Sequence, residues 1–171
     1  MRKILCMASL VFIISHVTAQ KNYSLSASAN FNFGSSGLGA NNSGFGFSIQ
    51  SNLFANQNLE LKAEGSLDHL FGDKILVTDT LGNKYPSSAT LISFRAGPEL
   101  FISKNIAIAA LPGYTRYQLY SDKSHSFSYK LALTSYLGKR KKTQMGIYFT
   151  KFTGDRSYVH FWGINMGFKI L

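Results

Sequence analysis

Cysteine is almost missing from this sequence: among 171 residues there is one, Cys6, at the start of an apolar run. A disulfide framework is thereby excluded, and with it the small cross-linked scaffolds of secreted chains. Long hydrophobic segments are missing too. The run at residues 4–15 has 12 residues, whereas a membrane helix needs about 20. Any crossing of a bilayer would have to be made by strands. Acidic residues are scarce, 8 Asp and Glu against 18 Lys and Arg. Of the three prolines, Pro98 and Pro112 fall inside segments that otherwise alternate like strands.

The first residues read as a secretory leader. Met1-Arg2-Lys3 is positive, residues 4–15 are apolar, and Val17-Thr18-Ala19 places small residues at −3 and −1 before Gln20. Cleavage is expected after Ala19, which divides the chain into a signal peptide, 1–19, and one domain, 20–171. Cys6 leaves with the leader, and its place at the start of the apolar run rather than after it does not make a lipoprotein site. Without Arg2 and Lys3 the basic residues number 16 against 8 acidic. In an exported chain whose charges sit among small polar residues, that balance does not point to nucleic acid.

Alternation is what the chain has in plenty. Tyr23, Leu25, Ala27, Ala29, Phe31 and Phe33 alternate with Ser24, Ser26, Ser28, Asn30 and Asn32, the signature of a two-faced strand. The period returns at Phe45–Leu53, Leu59–Leu67, Ile92–Ile102 and Phe127–Leu137, less cleanly at 106–117, then at Met145–Phe149 and in HFWGINMGFKIL, residues 160–171. Eight such stretches are joined by short ANQN, SKN and KRKK on one side. The joins on the other side are expected to be longer: 34–43, 72–89, and segments carrying SDKSHS and TGDRS.

Alternation alone does not say which face is wet. The polar face is largely Gly, Ser, Asn and Gln, with Gly44, Gly46, Gly97, Gly146, Gly163 and Gly167 on it. A solvated outer surface carries far more Lys and Glu, whereas a narrow eight-stranded interior needs small polar residues. The apolar face bears aromatics near strand ends, as membrane interfaces require. The expected fold is all-β: an eight-stranded antiparallel up-and-down transmembrane β-barrel with short periplasmic turns and longer extracellular loops. The chain resembles the small outer-membrane β-barrel proteins of Gram-negative bacteria, of the OmpA-barrel and OmpX type, over residues 20–171. That resemblance implies the cell outer membrane, outer-membrane lipids and lipopolysaccharide as surroundings, and reading of the closing strand by the barrel-assembly machinery. Trp162, Ile164, Met166, Phe168 and Ile170 are its lipid-facing residues. One departure is that family members usually end on an outward aromatic, whereas Leu171 has inward parity.

Inward charges gather on two stretches: Glu60, Lys62, Glu64 and Asp68, then Arg95 and Glu99. Aligned from their periplasmic ends, these put Arg95 within reach of Glu64 or Asp68, and Lys62 near Glu99. A structural ion-pair network is expected, since a buried charge is costly unless paired; the alternative is a gate that switches partners. His69 and His160 have outward parity on stretches that are not neighbours, and no acid is placed to complete a triad with Ser43 or Thr90. His125 is expected in a loop, so no three-ligand metal set forms, and no cofactor is implied. Lys139-Arg140-Lys141-Lys142 falls on a periplasmic turn, solvated or against anionic headgroups. Arg116 and Lys151 are placed to meet lipopolysaccharide phosphates. The expected role is non-enzymatic, structural or surface-interacting, in a monomer; a low-conductance pore is the alternative and a lipid-modifying enzyme the third.

Two local expectations complete the reading. Ile75, Leu76 and Val77, with Gly82-Asn83 as a turn, predict a hairpin standing above the membrane. Pro98 and Pro112, in a register with i + j near 208, predict a bulge or gap in the ladder between their two strands.

Overall fold

Strands form wherever large apolar residues recur at every second position, because the two faces then meet different surroundings. The computed structural model describes residues 23–36, 43–54, 58–71, 76–78, 84–86, 88–119, 122–138, 141–153 and 158–171. The leader assigned to 1–19 lies outside them. Ten strands result: β1 (Tyr23–Ser36), β2 (Ser43–Phe54), β3 (Leu59–Phe71), β4 (Leu76–Thr78), β5 (Lys84–Pro86), β6 (Ala89–Ser103), β7 (Ile106–Leu119), β8 (Asp122–Leu137), β9 (Thr143–Thr153) and β10 (Tyr158–Lys169). Eight close a barrel in the order β1-β10-β9-β8-β7-β6-β3-β2, each antiparallel to its neighbours. The chain is an all-antiparallel up-and-down barrel.

Closure is made by β1 on β10, in register from Ser26↔Lys169 to Phe33↔Trp162, with an irregularity before Ser36↔His160. Beyond the end of β10, Ile170 N–H donates to the Leu25 carbonyl at 2.7 Å, and Leu171 exchanges 3.2 Å bonds with Leu25. Leu171 is exposed at this rim rather than turned inward. The β2–β3, β6–β7 and β8–β9 joins lie at the same terminal rim, and the remaining joins at the distal rim.

The contrast in loop length holds only in part. The β7–β8 join is residues 120–121 and the β9–β10 join is 154–157, no longer than 55–58 on the terminal side. His125 and most of SDKSHS belong to β8, because the alternation continues through them: Ser126 and Ser128 are buried while His125 and Phe127 are exposed. The long distal connections are those after β1 and β3. The second contains β4 paired with β5, Leu76↔Pro86 to Thr78↔Lys84, as a separate two-stranded sheet. Ile75, Gly82 and Asn83 lie outside the described residues.

The proline expectation is met. Pairing of β6 with β7 runs at i + j = 208 from Ala89↔Leu119 to Arg95↔Gly113 and resumes at Glu99↔Ala109, with no pairs between 96–98 and 110–112. Each proline removes a donor from this seam. Added Cβ atoms at Gly97 and Gly113 would overlap the carbonyl oxygens of Ala110 and Phe94, so the backbones approach at distances only glycine permits.

Candidate functional site: the barrel interior

Side chains fill the interior because eight strands enclose too little space for a channel. At the terminal end, Glu60 and Glu99 stand opposite each other on β3 and β6. Asn52 Nδ2 donates to both, at 2.6 and 2.7 Å. Lys62 Nζ lies 2.9 Å from Glu99 Oε1, and Tyr136 Oη donates to Glu99 Oε2 at 2.9 Å. Two like charges face to face are thus held by an amide, an ammonium and a phenol.

In the middle, Glu64 receives two cations. Arg95 Nη1 is 3.2 Å from its Oε1, and Lys130 Nζ from β8 is 2.7 Å from its Oε2. Gln50 also donates to Glu64, at 3.0 Å, and Gln144 continues the chain to Gln50 and Ser28. The other edge of Arg95 donates to Ser93 Oγ at 2.9 Å. Lys130 Nζ lies 4.1 Å from the centre of the Tyr148 ring, whose hydroxyl donates to Asn32. Among the described residues Asp68 makes no ion pair of this kind; Asn30 and Asn32 donate to its Oδ1 at 3.2 and 3.1 Å. Side chains of Lys62, Glu64, Arg95, Glu99 and Lys130 are 3% exposed or less, so each charge depends on these partners.

Lys130 is the member that sequence reasoning did not place among the charges. Its inward parity on the sixth alternating stretch was the available signal. It meets Glu64 across the interior rather than across a ladder, and only closure of the barrel brings β8 opposite β3. The distal end departs from a wholly polar interior as well. Leu70, Leu91, Tyr117, Tyr148, Phe152, Val159 and Phe161 form one buried cluster there.

On the outer face, Trp162, Ile164, Met166 and Phe168 alternate outward and are exposed. Ile170 is exposed too but follows the end of β10. Trp162 packs on Phe149 with ring centres 5.1 Å apart. Arg116 on β7 stands beside His125, and Lys151 on β9 beside His160. The two cations are therefore kept apart, with β8 between their strands. His69 Nδ1 is 3.1 Å from Thr90 Oγ1, and the neighbouring Asp68 faces inward. His69 and His160 do not meet, since β2 and β1 separate β3 from β10.

The architecture is that of the small eight-stranded outer-membrane barrels. The structure is similar to the attachment invasion locus protein Ail of Yersinia pestis, with 15% identity, TM-score 0.55, and coverage of 87% of this chain and 98% of that one. It is also similar to neisserial surface protein A, with 14% identity and TM-score 0.56 over 86% and 95% of the two chains. The N-terminal barrel of Pseudomonas aeruginosa OprF gives 14% and 0.54 over 85% and 97%. Likeness at this identity carries the fold alone. No protein-family model and no curated protein matches the sequence.

Proposed function

We propose that this chain is a non-enzymatic integral outer-membrane protein, structural or surface-interacting in role, whose barrel conducts no ions. It is exported, processed after Ala19, and inserted as a monomer with its terminal rim in the periplasm. An apolar outer face around a polar interior supports insertion. Phe31, Phe47, Ile49, Phe94, Leu131, Ile147 and Phe168 are all between 48% and 69% exposed, which a water-soluble barrel would not tolerate.

The observation that carries the closed-barrel reading is the layered plug. Paired charges occupy the middle and terminal end, and the apolar cluster around Phe152 and Phe161 lies beyond them at the distal end. A conducting path would have to break both. Planar-bilayer recordings of the refolded barrel should show no unitary steps, and the mature N-terminus should be Gln20. Stable discrete openings would overturn the reading and favour a low-conductance pore, which the sharing of Glu64 by Arg95 and Lys130 would explain through exchange of partners.

Partners follow from the same reading. The closing strand, Trp162 to Phe168, is the segment the assembly machinery would read. Arg116 and Lys151 would lie at the level of lipopolysaccharide phosphates. Less lipopolysaccharide should co-purify with an Arg116→Gln/Lys151→Gln variant, and unchanged retention would remove these two residues from that role.

A further inference from the structure

Acidic residues are distributed unevenly over this barrel. Glu60, Glu64, Asp68 and Glu99 point into the interior and Asp122 begins β8 at its distal end, while Asp73, Asp79 and Asp155 lie outside the described residues, in the sequence that joins β3 to β6 and β9 to β10. Among the described residues no acidic side chain lies on the outside of the terminal rim. Among the described residues that rim carries Lys104 in the β6–β7 join, Lys141 and Lys142 in the β8–β9 join, and Lys169 at the end of β10, while Lys139 and Arg140 lie outside the described residues.

Within this basic rim lies a cup of about 400 Å³, lined by Asn58, Phe101, Ile102, Ser103, Lys104 and Lys141. Two ammonium groups, a hydroxyl and an amide line it, and no carboxylate does. Lys141 is held rather than free to wave. Its backbone adopts φ of 49°, and its Nζ sits 4.4 Å from the centre of the Phe101 ring and 5.8 Å from that of Tyr136. Glu60 attracts it from the mouth of the interior. Lys104 is exposed at the tip of its turn. Among the described residues, neither lysine has a carboxylate within salt-bridge distance. On the outer side of the cup Ile102 is 57% exposed, with Leu100 also exposed one outward position further into the wall.

We propose that this cup binds the phosphodiester headgroup of an anionic phospholipid in the periplasmic leaflet, with Lys104 and Lys141 as its cations and Ile102 and Leu100 against an acyl chain. The proposal rests on the membrane orientation given above. A phosphate set between two ammonium groups and a hydroxyl gains charge-assisted hydrogen bonds, and a basic pocket at a membrane surface is suited to such a headgroup. Apolar wall directly beside the cup favours a lipid over a soluble anionic polymer, which would have no use for Ile102.

Native mass spectrometry of the refolded full barrel, titrated with phosphatidylglycerol and with phosphatidylcholine, tests this. A folded band on unheated gels establishes beforehand that the barrel has assembled, so a failure of the membrane reading would be seen separately. The wild-type chain should retain phosphatidylglycerol in preference to phosphatidylcholine. Each lysine near an anionic surface is worth a factor of about five, so Lys104→Gln/Lys141→Gln should weaken that retention roughly 25-fold. A Lys142→Gln/Lys169→Gln control, with the same loss of charge outside the cup, should weaken it much less. Should the double variant fail to fold, Lys104→Gln alone carries the test, at about fivefold. Equal retention of the two lipids, or equal losses in the two double variants, would overturn the site. Binding of soluble peptidoglycan fragments in place of phosphatidylglycerol would overturn it in favour of a wall polymer.

Discussion

Glu64 is the residue on which the interior depends most, because one carboxylate answers both Arg95 and Lys130. Removing it leaves two buried cations without a carboxylate, whereas removing Arg95 leaves Glu64 still paired with Lys130. Breaking a buried pair costs about 3–5 kcal/mol, and losing one charged hydrogen bond from a group that keeps its other partner costs about 1.5–3 kcal/mol. Glu64→Ala should therefore lower the urea midpoint of the vesicle-refolded barrel more than Arg95→Ala does. Equal midpoints would show that the two cations are not held by this carboxylate. Asp68, held by two asparagine amides instead of a cation, shows that a charge of the right parity need not join an ion pair.

Among the elements, the β6–β7 seam and the β4–β5 hairpin each separate local from global stability. The seam lacks pairs over 96–98 and 110–112, although β6 on β3 and β7 on β8 remain paired alongside. Loss of about one net hydrogen bond per amide corresponds to roughly tenfold faster local opening. Amides of Ala96 and Ala110, which point into the seam, should therefore exchange with deuterium about that much faster than those of Phe94 and Tyr114, whose strands are paired there. Uniform protection across the seam would mean that it is paired after all. Among the described residues the hairpin strands β4 and β5 pair only with each other. Deleting residues 75–84 should leave the heat-modifiable barrel band intact, and loss of that band would make the segment part of the assembled core. Its open edges make it a surface to which a partner strand could add.

At the scale of the molecule, the distribution of side chains is inverted relative to a soluble barrel, with apolar residues outside and charges within. Through the middle of the wall each strand is paired on both edges except at the proline seam, so a closed ring can sit in hydrocarbon where an open sheet cannot. Closure through β1 and β10, reinforced by Leu25 and Leu171, should make the folded form resist detergent until heated. An outer-membrane fraction should accordingly show a gel band that shifts on boiling, and an unshifted, soluble band would sink the membrane reading.

The period of two, read along the chain, was enough for the barrel, its inner and outer faces and its strand count, because alternation is local and each face has one kind of surroundings. Even the register through Pro98 and Pro112 was legible, since a turn centred on Lys104 puts i + j near 208 and proline cannot donate. The Ser103↔Ile106 pair beside the turn sums to 209, and the shift between Phe101 and Ser103 brings the ladder to 208. The pairing of Lys62 with Glu99 and of Arg95 with Glu64 lay within reach for a similar reason, as β3 and β6 are sheet neighbours. What only the tertiary structure decided lies across the interior or beyond the alternation. Lys130 reaches Glu64 because barrel closure and stagger choose which strands face one another, and no spacing within a strand encodes that. The same closure gathers Leu70, Phe152, Val159 and Phe161 from three strands into the distal plug. Strand length was the other hidden quantity: SDKSHS has the composition of a loop, yet from Asp122 onward it continues β8 because β7 extends beside it to pair with it.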